Sequence, residues 1–226
     1  HAGHKLEVIF TNPYGTQINI DGVQLQGIGE ITLEDLNPAA DIGYRIKLLA
    51  VARMTARALE QRMTPCLVPD TSPLGQLEGG TNMVVLEGDQ VEQVVLRGPG
   101  AGEGPTASAV MGDVRDIARG IRPAIFGRPA HELVAATVAT SSAPAPYYLR
   151  FSLLDKPGAL AKVATALGNA GVSIDRMRQY GHADTSAPVL IVTHKSAHAD
   201  LQAALAALDA LDAIVGKPVA LRIADV

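Results

Sequence analysis

Cysteine is nearly missing from this chain: 226 residues carry one, Cys66, set in an apolar run. No internal disulfide can form, so a reducing compartment, the cytoplasm, is expected. A basic excess is missing too. The 19 Lys and Arg against 23 Asp and Glu leave a formal net charge of -4, without the clustered basic face that a nucleic-acid surface needs. No apolar run reaches the roughly 18 residues that span a bilayer, and the start lacks a charged segment followed by an apolar one. Neither nucleic acid nor membrane is therefore expected as a partner. The chain opens on His1-Ala2-Gly3 rather than on Met, which reads as a tag remnant or as the cut edge of a longer polypeptide. Metal-ligand spacing is absent among His131, His182, His194 and His198: the last two straddle a strand end and no carboxylate completes a set. No metal is expected, and Cys66 reads as core.

What is present is an ordinary globular composition, 47% hydrophobic and 19% charged, long enough for one large or two small domains. Its most distinctive stretch is Arg97-Gly98-Pro99-Gly100-Ala101-Gly102-Glu103-Gly104-Pro105-Thr106. A β-branched run precedes it. A helical stripe of Val110, Val114, Ile117, Ala118 and Ile121 follows, the pattern of a half-buried helix over 106 to 119. Glycines without Cβ, ahead of a helix start with unpaired N–H groups, make a surface for a phosphate, carboxylate or amide. A tight turn that binds nothing has the same spacing.

Around that corner the pattern predicts an α+β layer. A helix is expected over 4 to 12, stopped at Asn12-Pro13. Residues 17 to 25 alternate around Asp21-Gly22, as in a bulged strand or a short hairpin. Thr32 and Asp35 have capping-box spacing for a short helix ended by Gly43. Strands are expected over 45 to 53, 59 to 69, 81 to 86 and 91 to 96, paired antiparallel with helices packed on one face. Gly88-Asp89 has hairpin chemistry, and 69 to 75 form a turn cluster. Residues 129 to 146, rich in Ala, Ser, Thr and Pro, read as a linker between a first domain, 1 to 128, and a second, 147 to 226. The second has a βαββαβ rhythm, the ferredoxin-like order, with two helices on one face of an antiparallel sheet.

The second unit resembles an ACT domain. The resemblance is carried by Leu154-Asp155-Lys156-Pro157-Gly158-Ala159-Leu160 and by Asn169-Ala170-Gly171-Val172-Ser173-Ile174. It implies a regulatory module that pairs through its sheet and binds a small amino acid near Asp155, Pro157, Gly158, Ala159, Leu160, Ser173 and Ile174. On chemical grounds Asp155 can cap the helix, Pro157 presets its first turn and Gly158 admits a carboxylate to exposed N–H groups. The same turn also serves as a plain cap. Arg176 and Arg178 share a strand face and could pair a carboxylate, though such arginines are more often solvated.

The upstream part resembles the carboxyl-terminal half of homoserine dehydrogenases, on the string Gly98-Pro99-Gly100-Ala101-Gly102-x-x-Pro105-Thr106-Ala107-Ser108-Ala109-Val110. That implies reduction of aspartate 4-semialdehyde to homoserine with NAD or NADP, inhibition by threonine through the ACT unit, and a homodimer or higher oligomer. Lys5 matches the family's catalytic lysine, whereas His1 stands where its aspartate belongs. Gly98, Pro99, Gly100, Ala101, Gly102 and Thr106 fall at the cofactor side. The glycine spacing is not that of a dinucleotide fingerprint, and no βαβ unit opens there, so a fragment lacking the dinucleotide-binding domain is expected, inactive by itself. The alternative is a non-catalytic protein that senses an amino acid and dimerises.

Overall fold

The computed structural model describes residues 14–55, 58–181 and 186–224. One strand organises them. β3 (Leu59–Pro69) is buried along almost its whole length, and strands or single bridges flank it on both sides. One edge pairs antiparallel with β2 (Tyr44–Met54) over all eleven residues. The other edge is shared in relay: Val138 bridges Leu59, β1 (Gln24–Leu25) lies parallel to Arg62 and Met63, and the end of β9 (Ile214–Ile223) lies parallel to Cys66 and Leu67. The gap between the last two falls at Thr64 and Pro65, where a proline has no N–H to give a ladder.

Through β9 the sheet continues into β6 (Tyr147–Leu154), β8 (Ser186–Thr193) and β7 (Ile174–Gln179), all antiparallel. With the helices between them these last four make the expected βαββαβ unit. The two parts thus share one seven-stranded sheet. The expected linker is not a free tether, since it is stitched along the way: Leu59 donates to the Thr137 carbonyl (2.8 Å), Ala139 returns to the Leu59 carbonyl (3.0 Å), and Ala145 pairs with Ser196.

Helices cover the sheet on both sides. α3 (Ala159–Asn169) and α4 (His198–Asp209) lie on one face over Leu149, Phe151, Val189 and Ile191. The buried positions of α3 are Ala159, Val163 and Leu167, while Leu160 keeps 38% of its surface exposed. On the opposite face, α1 (Leu33–Asp41) sets Ala39 against Leu67, Tyr148, Leu190 and Leu221. The capping box at its start is formed as the sequence predicts, and Gly43, at φ +83°, follows its end. Asp35 does more than cap. Its fully buried carboxylate accepts from the Thr32 backbone N–H (3.0 Å) and from Nε and Nη2 of Arg150 on β6, while Glu34 takes the third arm of that guanidinium at 3.2 Å. This bidentate, partly desolvated pair fixes α1 on the sheet.

Several expectations are corrected. The four strands over 45 to 96 do not form one layer: among the described residues β4 (Thr81–Gly88) and β5 (Glu92–Pro99) pair only with each other. Their loop is three residues long, and Glu92 takes φ +53° where it closes. The helix after the glycine corner, α2 (Glu103–Ala118), buries no residue; Val110 is 56% and Ile117 67% exposed. Its stripe follows the sequence, but no apolar face of the described residues covers it. Residues 17 to 25 are neither a bulged strand nor a hairpin, because Asp21-Gly22 lies in a 3-10 turn, Ile20–Gly22, held by the Asn19 side chain. The helix expected over 4 to 12 lies outside the described residues.

Candidate functional site

The corner between β5 and α2 is built by its glycines. Gly100 donates its N–H to the Gly80 carbonyl at 3.1 Å, and a Cβ there would stand 2.1 Å from the amide of the exposed Asn82, so a larger residue requires that side chain to swing away. Gly102 starts the helix at φ +127°, a conformation that favours glycine, and offers no side-chain cap. Gly98 faces open space, while Pro99, Gly100, Ala101, Gly102 and Thr106 are exposed. The N–H groups of Glu103 and Gly104 belong to a first turn without intrahelical acceptors, and Pro105 has none to leave unpaired. The result is an unobstructed strip of backbone at a helix start, able to receive an anionic or carbonyl oxygen. Lys5 lies outside the described residues.

The second group of predicted residues is divided by the fold. Asp155, Pro157 and Gly158 form an exposed turn after β6, with Gly158 at φ +81° as the residue that starts α3. Asp155 does not cap that helix. The turn is closed by backbone alone, Lys156 to the Leu154 carbonyl (2.9 Å) and Ala159 to the Lys156 carbonyl (3.1 Å), so Pro157 sits ahead of the helix rather than in its first turn. Ser173 and Ile174 stand at the other end of the sheet. Ile174 pairs with Thr193, one residue beyond the Tyr148–Val192 pair, while the turn leaves β6 at Leu154. About 20 Å of strand lies between, at roughly 3.3 Å per residue. Arg176 pairs with Asp175 at 3.2 Å, and Arg178 lies over the Tyr180 ring at 5.0 Å.

Among the described residues no group of three His, Cys, Asp or Glu could hold a metal ion, and no helix is long and apolar enough to cross a membrane. Sequence reading missed the Asp35–Arg150 pair, whose partners lie 115 positions apart. It also missed the polar face of β3, although Glu60, Arg62 and Thr64 alternate along that strand and thereby share one side of it.

The homoserine dehydrogenase family model matches residues 1–114, and the ACT domain model matches 147–213. The chain belongs to the homoserine dehydrogenase family. It is 36% identical over 226 residues to a homoserine dehydrogenase of Neisseria gonorrhoeae, covering 96% of this chain and 52% of that one. The corresponding figures for Pseudomonas aeruginosa are 35% over 232 residues, 98% and 53%. A crystal structure of the homoserine dehydrogenase from Thiobacillus denitrificans superposes with a TM-score of 0.87 at 32% identity, over 99% of this chain and 52% of that one. The chain spans about half the length of these relatives. In this chain the glycine corner and the 155 to 158 turn lie in separate parts of one fold, joined by the β3–β9 pairing.

Proposed function

We propose that this chain supplies the carboxyl-terminal half of a homoserine dehydrogenase, an oxidoreductase that interconverts L-homoserine and L-aspartate 4-semialdehyde in threonine and methionine biosynthesis, in the cytoplasm. The observation that carries the reading is the open glycine corner ahead of α2, which leaves Gly98 to Gly102 free to lie against a flat ligand. A nicotinamide cofactor, NAD or NADP, supplies or accepts the hydride when bound. The chain's own part is to exclude water beside it with bare backbone and to offer helix-start N–H donors to the substrate oxygen. Lys5 is assigned the proton that this oxygen gains or loses. The test is a homoserine oxidation assay on this chain alone and on the chain fused behind the amino-terminal half of the Neisseria gonorrhoeae relative. Turnover by the fusion alone supports the reading, and turnover by neither overturns it.

We further propose regulation by an amino acid, threonine first among candidates, in a homodimer. β7 is the end strand of the sheet, its outer edge has no strand partner among the described residues, and most of its side chains are exposed. Antiparallel pairing of two β7 strands about a two-fold axis carries the Ser173 end of one copy beside the 155 to 158 turn of the other, which joins the halves of the effector site that one chain keeps apart. Light scattering is expected to give twice the chain mass. Calorimetry with threonine is expected to show binding that Gly158→Val abolishes. A monomer that binds threonine equally well in both forms refutes the arrangement.

A further inference from the structure

The layer of α3 and α4 stops short of β3, and that step leaves a cavity of about 620 Å³. One wall is a flank of α4, where Leu201, Leu205 and Ala206 make an apolar stretch bordered by His198, Gln202 and Asp209. The floor is the junction of β3 with β9, where Arg62, Thr64, Tyr147 and Arg222 meet. Its size lies within the range of small-molecule sites. It shares no residue with the glycine corner or with the 155 to 174 segment.

The floor is built and carries an unbalanced charge. Arg62, buried, donates Nε to Glu60 at 3.1 Å, and that carboxylate also accepts from the Ala143 N–H. Among the described residues the hydrogen-bond partners of Arg222 are neutral, Nη2 donating to the Ala143 carbonyl at 2.6 Å and Nη1 to the Tyr147 hydroxyl at 3.4 Å, while Glu60 acts on it only from a distance. No carboxylate of the described residues lies within ion-pair distance of it. Burial, and next the charge of Arg62, lower the proton affinity of Arg222, which is what two guanidiniums sharing one carboxylate would do. At the mouth Lys217 pairs with Glu30 at 3.8 Å; these two and Asp209 are exposed, so water screens them. A half-buried cation beside the Leu201–Leu205 stretch of α4 matches one ligand chemistry: an anionic head with a short hydrocarbon body.

We propose that this cavity binds a small aliphatic carboxylate, its head on Arg222 with Arg62 behind, and its chain along Leu201 and Leu205 of α4. Because the site spans β3 and the α4–β9 hairpin, its occupant ties the first part of the fold to the ACT unit. The proposal is independent of the effector turn.

The probes are sodium butyrate, n-butylamine, 1-butanol and inorganic phosphate, titrated by calorimetry and by thermal shift into the purified protein. Butyrate is expected to bind at millimolar concentration and to raise the melting temperature, and the other three are not. Arg222→Met is expected to weaken butyrate by about tenfold or more, the worth of one charge-assisted contact. Ala206→Phe, which fills the mouth from the exposed flank of α4 and leaves the floor intact, is expected to block it even if Arg222→Met fails to fold. Butanol matching butyrate removes the charge argument, and phosphate matching butyrate removes the apolar wall. Butyrate binding that survives Ala206→Phe, or that is lost with Pro157→Ala, places the ligand elsewhere and overturns the proposal.

Discussion

Single residues in this fold are constrained by space, by backbone angle or by charge, and the three are separable by substitution. Gly75 has an ordinary φ, yet a Cβ there would stand 2.0 Å from the Pro69 carbonyl, inside a turn where the Ser72 hydroxyl donates to that same oxygen (2.7 Å) and accepts from the Gly75 N–H. Gly75→Ala is expected to cost about 3 kcal/mol in urea unfolding, as overpacking against rigid backbone does. Gly112, within α2 and facing open space, is the opposite case: Gly112→Ala should gain up to about 1 kcal/mol from helix propensity. Asp35→Ala strips the Arg150 guanidinium of its buried partner and should cost about 3 kcal/mol. Charge also sets the alkaline limit. Burial is the foremost cause raising the phenol pKa values of Tyr147, Tyr148 and Tyr180 above the ordinary 10.0. The unfolded chain therefore ionises first. Stability is full below about pH 10 and falls as pH rises, the fully buried Tyr148 steepening the decline by about 1.4 kcal/mol per pH unit until its own folded pKa is passed and the more screened Tyr180 adding less. Tyr148→Phe should flatten that limb measurably in unfolding curves taken from pH 8 to 11.5.

Elements were legible where the pattern is local. Capping chemistry at Thr32 and Asp35, the Gly88-Asp89 hairpin and the βαββαβ order all follow from neighbours in sequence, and the structure has them. What failed was the assignment of partners. Periodicity shows that α2 has an apolar side, but cannot say what it faces, and among the described residues it faces nothing. The same limit hid the separation of β4 and β5 from β2 and β3, since strand pattern carries no pairing information. An uncovered stripe with residues as large as Val110, Met111, Val114 and Ile117 exceeds scattered surface apolarity. The double substitution Val110→Asp with Ile117→Asp is expected to leave the melting temperature of the isolated chain within a degree or two, since neither side chain is buried in it. The same change should lower activity of the fusion with the Neisseria gonorrhoeae half, because both sites lie on the helix that carries the glycine corner.

For the molecule as a whole, the decisive feature is that two units read separately from sequence share a sheet. The Pro- and Ser-rich run suggested a tether because composition reports flexibility of an isolated chain, whereas Leu59 and Ser196 pin this run at both ends. Calorimetry should accordingly show one unfolding transition, with Leu67→Ala, at a fully buried position contacting both parts, lowering it as a unit by about 2 to 5 kcal/mol. Two resolved transitions would contradict a shared core. The relay along the second edge of β3 also sets an order of events in the cell. Its last pairing segment, Arg222 and Ile223 with the Ala224 N–H on the Leu67 carbonyl, leaves the ribosome some 155 residues after the strand that waits for it. Until then an apolar strand edge stays unpaired, completion of the shared sheet is deferred until that segment emerges, and chaperone capture is most to be expected in the interval.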